Sequence, residues 1–146
     1  MSNGTIPAPA SASAPNFALL IFRIACSLPV LYHGCAISFG AFGGPGPQGF
    51  ARFTHLPLAA AYLVGLAQFG GGLAILLGAL ERIGSVAVII VMIGAIYLVH
   101  LPHGFDINKG GYEFALTVLL VAVGLLFTGP GAYSLRSVLP GPLKKL

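Results

Sequence analysis

The chain alternates between four long apolar stretches and short, polar, glycine- and proline-rich connections. The first apolar run covers residues 16–39 and contains one charge, Arg23. The second covers 58–80, is uncharged and carries Gln68, the third covers 83–101, and a shorter fourth covers 112–127. Each approaches the ~20 residues that cross ~30 Å of hydrocarbon as a helix. Backbone groups in lipid must be satisfied within the segment, so helices are the expected elements. Ten-residue alternating segments are absent, which argues against a membrane barrel. The expected architecture is an all-α membrane protein, a bundle of four transmembrane helices over 16–129, with an Ala/Ser/Pro-rich tail at 1–15 and a basic tail at 130–146. The tail precedes the first apolar run and has no basic segment, so it reads as an uncleaved extension rather than a signal peptide.

The connections set the order of the bundle. Glu81 and Arg82 read as a tight turn between the second and third stretches. Residues 40–57 form a long loop, irregular at its start because of Gly43, Gly44, Pro45, Gly46, Pro47 and Gly49. Residues 102–111 join the last two stretches. Pro29 interrupts the first helix and predicts a kink. Ala61, Gly65, Gln68 and Gly72 share one stripe of the second, the small-residue face that membrane helices use to pack.

Composition agrees. Hydrophobic residues make up 57% of the 146 positions and charged residues 7%, too little polar surface to cover a soluble globule. The net charge of +4 is scattered, which excludes a nucleic-acid footprint. Four basic residues (Arg82, Arg136, Lys144, Lys145) fall on the side of the termini and two (Arg52, Lys109) on the other. The count places both termini in the cytoplasm. Cys26 and Cys35 are nine residues apart, on opposite faces of one helix and roughly 13 Å apart along its axis, so they do not pair. There is no C-x-x-C.

The remaining polar residues gather at one depth. His33, His100, Tyr112 and Glu113 come from three different stretches and fall near the outer boundary, with Tyr32, Cys35, Tyr97, His55 and His103 close by. Three readings fit. They are interfacial residues where water meets lipid, or they form a small-molecule site in which His33, His100 and Glu113 hydrogen-bond a quinone head and exchange its protons, or they ligate a metal. No H-E-x-x-H or comparable spacing supports the last, and no metal is expected. Arg23 lies inside the apolar run; it either reaches water, pairs with Glu81, or helps to hold a ligand. Gln68 reads as an interhelical hydrogen-bonding residue.

Several runs together resemble DoxX-like membrane proteins. They are Leu20-Ile21-Phe22-Arg23-Ile24-Ala25 with Leu31-Tyr32-His33-Gly34, the Gly43-Gly44-Pro45-Gly46 loop with Gly49-Phe50, and Val64-Gly65 with Gly70-Gly71-Gly72. The fullest match is Val99-His100-Leu101-Pro102-His103-Gly104-Phe105 with Gly110-Gly111-Tyr112-Glu113-Phe114-Ala115-Leu116, and Gly129-Pro130-Gly131-Ala132-Tyr133-Ser134-Leu135 closes the pattern. The resemblance covers residues 17–135. It implies a four-helix protein of the bacterial inner membrane, tied to respiratory or thiol redox metabolism, since some relatives are subunits of thiosulfate:quinone oxidoreductase. It implies contact with a quinone or with an oxidoreductase partner, or the alternative role of a non-catalytic subunit or assembly factor alongside other membrane protein subunits in the bilayer. Gln68 stands where many relatives carry an acid, and the missing C-x-x-C sets the chain apart from relatives that work through a dithiol. Neither catalysis nor a particular cofactor follows from the residues.

Overall fold

The structure, a computed structural model, describes residues 13–145. The tail expected over 1–15 lies outside these residues up to position 12. The described chain is helical throughout, with no strand: α1 Ser13–Phe39, α2 Gly46–Thr54, α3 Leu58–Leu77, α4 Glu81–Ala95 and α5 Glu113–Thr128, followed by two short 3₁₀ turns. Three helical segments are long and apolar enough to cross a membrane: Ser13–Phe39, Leu58–Leu77 and Glu81–His103, the last being α4 with its terminal turns. The fourth apolar helix, α5, is shorter at 16 residues.

The bundle is inverted relative to a water-soluble one. Along α3, Ala61, Gly65, Gln68, Gly72 and Ile75 are buried while Tyr62, Leu63, Leu66, Leu73 and Leu77 face outward. Leu63 is 69% exposed and Phe127 of α5 is 79% exposed. Large apolar side chains on the outside and small ones within suit contact with lipid, where close backbone approach replaces the hydrophobic drive. The chain is a membrane protein in contact with the bilayer. A Cβ on Gly34 of α1 would lie 2.5 Å from the Phe69 nitrogen of α3, so glycine is what lets these two helices touch there. The packed core joins Cys26 and Val30 of α1, Ile75 of α3, Val88, Val91 and Met92 of α4, and Ala115, Val118, Ala122 and Leu125 of α5.

Three features differ from the sequence expectation. The α3–α4 turn falls at Gly78–Leu80 rather than at Glu81-Arg82. Gly78 adopts the left-handed conformation at φ 64° and caps α3 through its N–H to the Ala74 and Ile75 carbonyls, the conformation glycine takes at least cost. Glu81 and Arg82 then become the first turn of α4. The loop 40–57 contains α2, with Pro47 in its first turn, where a missing N–H is harmless. Finally, α4 ends in a π turn, Ile96–His100, in which the Leu101 N–H reaches back five residues to the Ile96 carbonyl. Pro102 explains the widening, because its ring crowds the carbonyl four residues earlier and it has no N–H to offer.

Arg23 neither reaches water nor pairs by hydrogen bond with Glu81. It is 1% exposed. Its Nε donates to the Ile75 carbonyl at 2.8 Å and Nη1 to the carbonyls of Pro130 at 3.1 Å and Tyr133 at 2.6 Å, while Nη2 donates to the Leu76 carbonyl. Two of these acceptors are carbonyls in the last turn of α3, where helical donors run out and Ile75 also receives the capping Gly78 N–H. The guanidinium fork therefore ties α1, the end of α3 and the segment after α5 together. Asn16 adds to this end, its Oδ1 accepting the Ala132 N–H at 2.8 Å. Glu81 is 2% exposed, and neither carboxylate oxygen has a hydrogen-bond partner among the described residues.

Candidate functional site

At the opposite end of the bundle from Arg23 the helices enclose a cavity of about 720 Å³. All five helices contribute to its wall, which is overwhelmingly apolar. Its polar side chains are His33 of α1, Thr54 of α2, Gln68 of α3 and His100 at the end of the π turn. A cavity of this size, mostly apolar with a few convergent polar groups, fits the ordinary description of a small-molecule site, ~300–1,000 Å³.

Each polar group is held differently. Gln68 is 5% exposed, and its Oε1 has no hydrogen-bond partner among the described residues. Thr54 Oγ1 donates to the Phe50 carbonyl at 2.8 Å. His100 Nδ1 lies 2.7 Å from the Gly110 carbonyl oxygen. His33 sits edge-on to Tyr32, with ring centroids 5.4 Å apart, and lines the same cavity as His100.

The loop between α4 and α5 is knotted by its own hydrogen bonds and carries the His100 side of the wall. Asp106 accepts the N–H groups of Lys109 and Gly111 on its carbonyl and that of Asn108 on its side chain, at 3.0, 2.9 and 2.9 Å. The Tyr112 and Glu113 N–H groups pair with the Gly104 and Phe105 carbonyls, each at 3.0 Å. Glu113 turns its carboxylate to this loop, where Oε2 accepts the Ile107 N–H at 3.2 Å. Tyr112 packs its ring edge-on against Phe105, with centroids 5.6 Å apart.

Of the residues singled out in the sequence, His33 and His100 therefore line one cavity. Glu113 and Tyr112 brace the loop beside it, while their neighbours Gly111 and Phe114 form wall. Arg23 belongs to the other end. His103 binds the Val99 carbonyl through Nδ1 at 3.0 Å, and His55 is the left-handed cap of α2 at φ 57°. Tyr97 is 73% exposed on the outside of α4. The sequence reading missed Gln68 and α2 as parts of the wall. An uncharged polar side chain alone in the middle of an apolar helix was the signal for Gln68. Among the described residues, no three His, Cys, Asp or Glu side chains meet as metal ligands.

The chain is 35% identical over 105 residues to the uncharacterized membrane protein Rv3486 of Mycobacterium tuberculosis, a match that covers 62% of this chain and 64%, just under two thirds, of that relative. No solved structure matches it. The model of the DoxX family matches residues 18–101, a span that runs from the start of α1 through the π turn and includes His33, Gln68 and His100, and the chain accordingly belongs to the DoxX family.

Proposed function

We propose that this DoxX family protein binds the ring of a lipid-soluble quinone in the cavity between its helices and serves redox or respiratory metabolism in the bacterial inner membrane. The observation that carries the reading is the pair of imidazoles, His33 and His100, in one apolar cavity with the unpartnered Gln68 amide. A quinone is a flat apolar ring with an oxygen at each end, and it needs an apolar slot with a hydrogen-bonding group for each oxygen. Imidazoles serve both as hydrogen-bond partners and as proton-exchange groups near neutral pH. Glu113 and Tyr112 act as positioning residues through the loop, and Arg23 acts as the clamp of the opposite end. α5 is the fourth span, and both termini face the cytoplasm. The four-to-two basic count supports the orientation, and the Asn16–Ala132 bond, which sets the start of α1 beside the segment after α5, supports an even number of crossings.

A test is purification in mild detergent followed by extraction and mass spectrometry of retained lipids. Quinone at near-stoichiometric level, lost in His33→Ala and His100→Ala, is the expected result. Folded protein without retained quinone, and without quinone uptake on titration, defeats the reading. The alternative, a non-catalytic subunit within a larger membrane complex, is favoured by one observation: an exposed aromatic pair, Tyr32 stacked on Phe42 at 5.0 Å, close to His33. A stable protein partner and no small ligand would favour that role.

A further inference from the structure

The hydrogen-bond polarity of the cavity wall is fixed at His100. A carbonyl oxygen only accepts, so the 2.7 Å contact with Gly110 puts the proton on Nδ1. In the neutral imidazole Nε2 is then a bare acceptor. This tautomer is held from both sides. The π turn sets the backbone of His100. The Gly110 carbonyl belongs to the loop knot, anchored by the Gly110 N–H to the Ile107 carbonyl and the Gly111 N–H to the Asp106 carbonyl, both at 2.9 Å.

Thr54 shows the same polarity. Its hydroxyl hydrogen is committed to the Phe50 carbonyl, so its oxygen has only lone pairs left to offer. Gln68 also lines the wall; its Oε1 is unpartnered among the described residues but inaccessible where it stands, and only by turning its amide can it present the oxygen to a ligand. His33 makes no ring-nitrogen hydrogen bond to a described residue and is free to take either tautomer. Two groups on the wall are thus fixed as acceptors, and two adapt. A ligand that brings a carbonyl to His100 sets lone pair against lone pair and leaves a desolvated acceptor unmatched, which costs more than the missing bond alone. A site built to receive an O–H group discriminates strongly against the analogue that lacks it.

We propose that the cavity selects the dihydroxy, reduced form of its ring ligand, a hydroquinone, over the corresponding dione. One hydroxyl donates to His100 Nε2, and the other meets the adaptable pair His33 and Gln68. This inference rests on the quinone-class reading of the same cavity and adds which redox form is held. It concerns binding alone.

The test uses the full chain in lipid nanodiscs under argon at pH 8, above the ordinary imidazole range. The probes are a decyl-substituted benzoquinone and its hydroquinone, each titrated by equilibrium dialysis. The hydroquinone is expected to bind the wild type at least about tenfold more tightly, the ratio for ~1.4 kcal/mol. His100→Asn keeps an amide donor at the δ position for Gly110 and removes the acceptor at ε. It is expected to lose more affinity for the hydroquinone than for the dione, so that the ratio of the two falls toward one. A wild type that binds the dione equally or more tightly overturns the polarity inference and leaves the quinone site standing. Full preference in folded His100→Asn also overturns it. Binding of neither form defeats the quinone reading itself.

Discussion

Arg23 and Tyr133 lie 110 residues apart in the chain, yet Nη1 of the first donates to the carbonyl of the second at 2.6 Å. The same guanidinium holds Ile75, Leu76 and Pro130. Arg23→Leu removes a donor from four carbonyls, of which Ile75 keeps the Gly78 N–H, and a buried polar group left unsatisfied costs about 1–3 kcal/mol. The expected outcome is a loss on the order of several kcal/mol, read as a lower thermal midpoint in detergent and a poor folded yield. Arg23→Lys retains the charge but not the planar fork and should fall between the two. A midpoint in Arg23→Leu equal to wild type would show that the clamp is dispensable.

Two glycines separate packing from open space. A Cβ at Gly34 meets the Phe69 backbone at 2.5 Å, whereas at Gly94 it meets nothing within 4 Å. Gly34→Ala should force α1 and α3 apart and reduce folded yield, since overpacking typically costs about 1–3 kcal/mol. Gly94→Ala should unfold at the wild-type midpoint. Equal effects of the two substitutions would contradict the helix contact described.

Gly94 also lines the cavity, so a large side chain there can occupy the ligand's place without disturbing the core. Gly94→Phe is expected to keep the wild-type thermal midpoint and lose at least about tenfold in quinone affinity, ~1.4 kcal/mol. Unchanged affinity in a folded Gly94→Phe protein would move the ligand out of this cavity.

His33 and His100 share one ligand under the proposed function, so their substitutions should not add. The double variant His33→Ala/His100→Ala is expected to bind quinone little worse than the weaker single variant. Glu113→Gln acts through the loop, so its effect on affinity should be smaller than that of His100→Ala, and it should also lower the thermal midpoint. Strictly additive losses at the two histidines would indicate two independent residues.

For orientation, single cysteines at Ser137 and Arg52, in a chain with Cys35→Ser, test which face each occupies. Cytoplasmic termini predict that only the Arg52→Cys protein labels with an impermeant maleimide in intact cells. The reverse pattern would place the termini and the Arg23 clamp on the outside.

The sequence disclosed position along each helix better than direction around it. The apolar stretches are long and nearly uncharged, so the helices were legible; of the four residues grouped at one level, His33 and His100 line one cavity, and Tyr112 and Glu113 brace the loop beside it. Whether a side chain at that level turns toward the cavity or the loop depends on the azimuth of each helix. Glu113 and Tyr112 sit beside a loop whose bonds involve Gly104, Phe105 and Asp106, and no periodicity reveals that. The π turn was hidden for the same reason. Pro102 was visible as a helix stop, but its effect on the five residues before it was not. α2 is nine residues of mixed character, Gly-Pro-Gln-Gly-Phe-Ala-Arg-Phe-Thr, and its glycines and prolines read locally as loop. The Gly78 cap shifted the α3–α4 boundary because the apolar run continues through Ala79 and Leu80 after the helix has ended.

The clamp also orders events during synthesis. When α1 enters the membrane, its arginine has none of its four carbonyl acceptors. Ile75 and Leu76 arrive with the second long helix, and Pro130 and Tyr133 only after the last one has been made. Until then the guanidinium must be kept hydrated by the insertion machinery or at the edge of the bilayer, because an uncompensated charge in hydrocarbon is costly. The final stitch therefore forms last: a chain that stops before residue 130 lacks two of the four carbonyls that hold the guanidinium.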